Sequence, residues 1–213
     1  DEARGFLYVT SKLTDYVYVI DIRDDSTASF SDSNYMDIEA LVLVTSISGS
    51  IGFRDVIVDP HQDRLFLSGR MPDAVVVLDI STLEDNDVKE TYTDLQIDAL
   101  PTKGSLEDLG EGSVAQVGLA GMAIQSEHNV LLVTHYNENA LYAFDLDIGV
   151  NGTEVGYVSD IGENPHLVRI SPDGKHAFVA NYIGEIEENT TSSTLAIVDI
   201  DPNSESYLEV LTW

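Results

Sequence analysis

The sequence contains no cysteine and no long apolar run. Without thiols, the chain of 213 residues forms no disulfides, thiolate metal sites or covalent haem attachments, and it has no cysteine nucleophile. A membrane-spanning helix needs roughly 18 to 20 consecutive apolar residues. No segment approaches that length, and so we predict no membrane span.

Basic residues are also scarce. Ten Lys and Arg stand against 38 Asp and Glu, which gives a formal net charge of −28. Such a charge repels nucleic acid and favours cations or basic partners, so we expect no nucleic-acid role. It also suits solubility in a salty or extracytoplasmic setting. The 43% hydrophobic content is sufficient for a packed core.

A two-strand unit occurs four times along the chain. Its first strand reads YVTSK, FLSGR, LVTHY and FVANY, at Tyr8–Lys12, Phe66–Arg70, Leu132–Tyr136 and Phe178–Tyr182. Its second strand ends each time in an aspartate, at Asp21, Asp79, Asp145 and Asp199. The spacing between the two is conserved in the first three copies and longer in the fourth, which indicates an internal repeat with one loop insertion.

Two further strands complete the unit. Before it, VIVDPHQDRLFL, AIQSEHNVLLV and RISPDGKHAFV align without gaps and read as a strand, a tight turn and a returning strand. A more polar strand is predicted after each aspartate, for example at Lys89–Ile97 and Tyr207–Trp213. The sequence therefore predicts an all-β chain of four-stranded antiparallel meanders, each the size of a propeller blade, with repeats at about 5–51, 52–113, 114–161 and 162–213.

The segments Tyr8–Ser11, Phe178–Asn181 and Ser171–Lys175 resemble the YVTN-type β-propeller repeat. The resemblance covers nearly the whole chain. It implies an exported bacterial or archaeal protein, similar to surface-layer-associated and lactonase-like propellers, which usually have about seven blades. We expect the first copy to lack its innermost strand and the four blades to be completed by the rest of the protein or by a neighbouring subunit. A closed four-bladed ring is the alternative.

One face of this propeller is expected to bind ligands or partners. Both loop insertions, at 98–113 and 183–191, fall on it, and loops on a rigid scaffold commonly carry binding sites. The strand ends on this face form a polar, cationic and aromatic rim around a central pocket. Its residues are Lys12, Arg54, Arg70, His135, Tyr136, His166, Asn181 and Tyr182. The alternative is that strand ends are polar in any propeller.

A calcium site is the one metal centre that the sequence suggests. The segment DIDPNSE places Asp199, Asp201, Asn203 and Glu205 at alternate positions, and oxygen ligands spaced in this way can surround a hard cation. The loop departs from an EF-hand, with Ser204 in place of glycine and Val210 in place of the bidentate glutamate. The alternative is an aspartate that ends a strand and caps an acidic turn.

Catalytic motifs are missing from the sequence. It has no Gly-x-Ser-x-Gly elbow, no His-Glu-x-x-His and no phosphate-binding glycine loop. We therefore predict a non-catalytic binding or scaffold module, extracytoplasmic and prokaryotic, that contacts a protein partner or a small polar ligand. The alternatives are a lactonase-like hydrolase or oxidoreductase with its site in the central channel, and a structural subunit of a cell-surface assembly.

Overall fold

The computed structural model describes residues 1–11, 16–21, 38–43, 52–59, 61–70, 74–81, 97–101, 118–147, 153–182 and 194–212. All regular structure in these ranges is β-strand, and the strands form four antiparallel sheets. Within these ranges no helix is long and apolar enough to cross a membrane.

Each sheet is a meander in chain order. The first contains β1 (Phe6–Thr10), β2 (Tyr16–Asp21) and β3 (Ile38–Leu43). The second contains β4 (Phe53–Val58), β5 (Arg64–Gly69), β6 (Ala74–Asp79) and β7 (Ile97–Pro101). The third contains β8 (Leu119–Gln125), β9 (Val130–His135), β10 (Ala140–Asp145) and β11 (Thr153–Val158). The fourth contains β12 (Pro165–Ile170), β13 (His176–Asn181), β14 (Leu195–Asp199) and β15 (Val210–Thr212).

The first and second strands of the repeat agree with the sequence prediction, and the outer strands differ from it. Residues 98–101 were predicted to open a loop, but they pair with β6 as part of β7. The predicted residues 89–96 and the remaining loop residues 102–113 lie outside the described ranges. β15 begins only at Val210, because Tyr207 and Leu208 belong to a turn in which the Leu208 N–H bonds the Asp199 carbonyl.

The sheets stack face to face in chain order. We call the face of a sheet that is turned toward the next sheet its forward face, and the opposite one its backward face. The forward face of the first sheet packs Tyr8 and Val19 against Leu65 and Leu67 on the backward face of the second. Two further cores of the same kind join the second sheet to the third and the third to the fourth. The central strands β5 and β9 are consequently buried on both faces.

The innermost strands β4, β8 and β12 lie next to one another. Each carries a β-bulge at the same place, between Phe53 and Val56, between Leu119 and Met122, and between Pro165 and Leu167. A bulge adds one unpaired residue to a strand and turns its side chain out of the regular alternation. The inner strands therefore present Arg54 and His166 from equivalent irregular positions.

The inner strands β8 and β12 approach each other closely at Gly121. A Cβ at this residue would lie 2.7 Å from the His166 carbonyl oxygen and 2.9 Å from Leu167 Cα, both backbone atoms of β12. We expect Gly121→Ala to lower the free energy of unfolding by about 1–3 kcal/mol, the usual cost of overpacking. Urea denaturation followed by circular dichroism measures it.

Gly156→Ala is the matched control, because a Cβ there meets only the end of the Leu208 side chain, which can move aside. If both variants were equally stable, the close contact between β8 and β12 would not contribute to stability.

Candidate functional site

A repeated backbone contact builds one end of the inner strands. The residue that follows β5, β9 or β13 donates its N–H to the carbonyl just before the inner strand of the same sheet. The three bonds run from Arg70 to Gly52, from Tyr136 to Gly118 and from Tyr182 to Asn164, at 3.0–3.2 Å. The three acceptors have φ values of 66°, 94° and 53°, the left-handed region that favours Gly and Asn. Arg70, Tyr136 and Tyr182 are thereby held at the same end of successive sheets.

The bulge on β4 is fixed by hydrogen bonds to the neighbouring strands. The Ser68 hydroxyl accepts the Asp55 N–H at 2.9 Å and donates to the Ala120 carbonyl of β8 at 2.6 Å. The Asp55 carboxylate accepts the Met122 N–H at 2.8 Å. Sequence analysis did not identify Asp55; the available signal was a carboxylate next to Arg54 on an inner strand whose other residues are apolar. These bonds join the second and third sheets beside Arg54.

Tyr136 lies between two polar side chains of neighbouring sheets. The Arg54 guanidinium carbon is 4.9 Å from the centroid of the Tyr136 ring, a cation–π contact. On the other side the His166 ring meets Tyr136 edge-on, with centroids 6.3 Å apart. We call Arg54, Tyr136 and His166 the rim cluster. The sequence placed all three on one face, and the structure brings them into contact.

Burial and neighbouring charges shift the pKa values of two residues in the rim cluster. Burial lowers the pKa of Arg54, and so does the positive charge of Arg70, whereas Tyr136 acts in the opposite direction. Burial also raises the pKa of Tyr136, which keeps its phenol neutral, although Arg54 opposes this change. The Arg54 guanidinium of the cluster thus lies near a second guanidinium, that of Arg70, and has lost part of its hydration, which is costly unless a negative charge offsets it.

Arg64, at the other end of β5, shows how this protein pairs a buried arginine. Its Nε and Nη2 donate to Asp59 Oδ2 at 2.9 and 2.6 Å, and both side chains are buried. Arg54 differs, because its buried Nη1 has no hydrogen-bond partner among the described residues. A buried donor without an acceptor costs about 1–3 kcal/mol, so the Arg54 site favours an anionic or strongly polar ligand.

The other predicted rim residues have varied surroundings. His135 is buried against Tyr142, and its Nδ1 accepts the Glu138 N–H at 3.2 Å. Asn181 is buried and donates to the Ile161 carbonyl at 2.7 Å. His135 thus stabilises the turn that follows β9, whereas Asn181 ties the end of β13 to the segment before β12. Tyr182 is 57% exposed. Lys12 and the loop at 183–191 fall outside the described part of the chain.

In the proposed calcium loop, several carboxylate oxygens already have partners. The buried Asp199 carboxylate accepts the hydroxyls of Ser204 and Ser206, both at 2.6 Å. Asp201 accepts the Asn203 N–H at 2.9 Å and pairs with Lys175 at 3.0 Å. No group of three or more His, Asp or Glu that could hold a metal occurs among the residues that the structure describes. The calcium site stays a prediction.

The fold is similar to that of solved β-propellers. The periplasmic gluconolactonase of Pseudomonas aeruginosa superposes with a TM-score of 0.61 at 14% identity, over 98% of this chain and 53% of that one. Hydrazine synthase of Kuenenia stuttgartiensis gives 0.61 at 16% identity, over 92% and 43%. The Swd1 β-propeller domain of Myceliophteria thermophila gives 0.53 at 10% identity, over 92% and 55%.

These similarities and the four stacked meanders define an all-β chain with a β-propeller fold, as the sequence predicts. The chain spans about half the length of the structures it matches. No protein-family model and no curated protein sequence matches it, so the YVTN-type relationship stays a prediction.

Asp199 gives a pH-dependent prediction. Burial raises its pKa, but hydrogen bonds from Ser204, Ser206 and the Asp201 N–H together outweigh burial, so the pKa is lowered. A lowered carboxyl pKa stabilises the fold above the unfolded-state value, and this contribution is lost as the pH falls through the folded-state pKa. We expect Asp199→Asn to cost about 1–3 kcal/mol at pH 7, with a difference from wild type that shrinks in acid.

Urea denaturation at neutral and acid pH measures this difference. The control is Asp160→Asn at an exposed carboxylate, which should change stability little at either pH. An Asp199→Asn penalty that is the same at both pH values would contradict the assignment.

The calcium prediction has a separate test. If the cation binds at Asp199 and Asp201, added Ca²⁺ should raise the midpoint of thermal unfolding of wild type but not of Asp201→Asn. A shift of equal size in both proteins would place any bound calcium elsewhere.

Proposed function

We propose that the chain is part of a lactonase-like propeller hydrolase that binds a small anionic or polar substrate at the rim cluster. The observation that carries the proposal is the buried, unpartnered Nη1 of Arg54 beside Tyr136 and His166. The comparison with a periplasmic gluconolactonase supports it, since that structure shares the fold. A sugar lactone and its product acid both offer oxygen acceptors to a guanidinium group.

The three side chains have complementary chemistry. Arg54 would donate to the lactone carbonyl oxygen and stabilise the negative charge that develops there. His166, exposed at the bulge of β12, would accept a proton from a water molecule as general base. The water oxygen bonds to the carbonyl carbon, the ring carbon–oxygen bond breaks, and the proton passes to the leaving ring oxygen. Tyr136 would position the other two groups.

A non-catalytic binding module is the second candidate. The geometry of the rim cluster favours it, because the Arg54 guanidinium beside the Tyr136 ring can bind a ligand oxygen without any proton transfer. In this case the rim cluster would bind the same class of ligand with no turnover. The protein would then act as a receptor or scaffold for a small polar ligand or for a partner protein.

We also propose that the chain belongs to an exported prokaryotic protein with YVTN-type repeats and an extracytoplasmic location. This part of the proposal rests on the repeat motifs and on the acidic composition. The periplasmic location of the gluconolactonase with the similar fold agrees with that interpretation.

Binding and turnover should be measured separately on the purified chain. Isothermal titration with gluconate reports binding, and proton release from glucono-1,5-lactone reports hydrolysis. We expect Arg54→Gln to weaken gluconate binding by about tenfold or more, because it removes a charge-assisted donor. His166→Asn should lower turnover by about 10²- to 10⁴-fold with little change in binding.

Lys175→Gln is the control, since it also removes one positive charge, but from an exposed turn where Lys175 pairs with Asp201 and contacts no residue of the rim cluster. Binding of gluconate without hydrolysis in the wild type would select the second candidate. Gluconate affinity and turnover that are the same in Arg54→Gln, His166→Asn and the control would overturn both.

A further inference from the structure

The first and fourth sheets each have one face without a neighbouring sheet among the described residues. The repeat allows these faces to be compared, position by position, with faces that are buried inside the stack. We call the equivalent positions of the second, third and fourth sheets a column. Three columns lie on the forward face, and in sheet order they are Phe66, Leu132 and Phe178, then Val75, Leu141 and Leu195, then Val77, Ala143 and Ile197. Every member is apolar, in the fourth sheet as in the second and third.

Burial of these columns changes abruptly at the fourth sheet. The members from the second and third sheets are 0–3% exposed. In the fourth sheet Leu195 is 48% exposed, and Phe178 and Ile197 are only partly buried. A single exposed leucine is ordinary, but three neighbouring positions that are apolar in two buried faces and in this exposed one indicate a surface that packs against another sheet.

The backward face of the first sheet shows the same change. Leu7 and Val9 are 44% and 39% exposed. Their equivalents Leu65 and Leu67 in the second sheet are at most 1% exposed, because they pack against the first sheet. Among the residues that the structure describes, one backward face and one forward face thus have no covering sheet, and these are the two kinds of surface that pack together at each internal interface.

We propose that a second copy of this chain covers these faces head to tail, with the forward face of its fourth sheet on the backward face of the first sheet. This contact continues the packing already present between the first and second sheets. This sequence spans about half of each propeller that it matches, so two copies of it together have the length of one such ring. Two identical contacts of this kind close a ring with twofold symmetry.

Charge acts on this contact in two opposite ways. Arg169 pairs with Phe178 across β12 and β13, so it lies on the forward face of the fourth sheet, where the second and third sheets carry Ile57 and Ala123. It is exposed. A cation on an apolar docking face suits an acidic partner, and a second copy carries a net charge of −28. The overall repulsion between two acidic copies weakens as salt screens it, so dimerisation should strengthen with ionic strength.

Sedimentation velocity on the purified chain tests the proposal. We expect a species of twice the 23.3 kDa chain mass, more populated at high salt than at low salt. Leu195→Glu and Leu7→Glu should each yield a folded monomer, because each places a carboxylate in both contacts of the ring. Val155→Glu is the control, since Val155 is similarly exposed but lies on the outer strand β11 of the third sheet.

Mixing the two monomeric variants separates this arrangement from a symmetric one. A mixed pair keeps one contact in which neither variant residue takes part, so dimer should reappear in the mixture of Leu195→Glu and Leu7→Glu. A contact between two fourth sheets would instead be lost in Leu195→Glu and retained in Leu7→Glu. That result, a wild-type chain that is monomeric at high salt, or a dimer insensitive to both substitutions would overturn the proposal.

Discussion

The structure depends on sheets that are apolar on both faces. In an ordinary two-layer protein a strand alternates between a buried and a solvated side, whereas β5 and β9 are buried along their whole length. Such a sheet cannot be stable alone, because one face would remain in water. The stacked order of the sheets follows from this constraint, and so does the convergence of the inner strands at one line.

The rim cluster is a consequence of that convergence. Its three residues come from three different sheets and approach one another only because β4, β8 and β12 lie side by side. The bulges then determine which side chains are presented. Gly121 occupies the bulge of the third sheet, and the close backbone contact there leaves no room for a side chain. Arg54 and His166 consequently flank Tyr136 from the two neighbouring sheets.

The sequence predicted most of the fold because the repeat is carried by local features. The sequence alone shows these features: alternating apolar strands, turns with Pro or Asp-Gly, and the recurring aspartates at Asp79 and Asp145. The bulges are not, since an extra residue in β12 depends on its pairing with β13. The burial of His135 and Asn181 also depends on neighbours distant in sequence, which explains why strand-end position alone did not separate them from Arg54.

The stacked arrangement also determines how native structure is lost. In the described part of the chain, each apolar core joins only consecutive sheets, so stability accumulates along the stack as a series of nearest-neighbour terms. In a single copy the third sheet has a neighbour on both faces, and its amide hydrogens should exchange only through large openings, whereas the fourth sheet is held on one face and frays at lower free energy. Because His166 belongs to the fourth sheet, partial opening at that end separates it from Tyr136 while most of the stack stays folded.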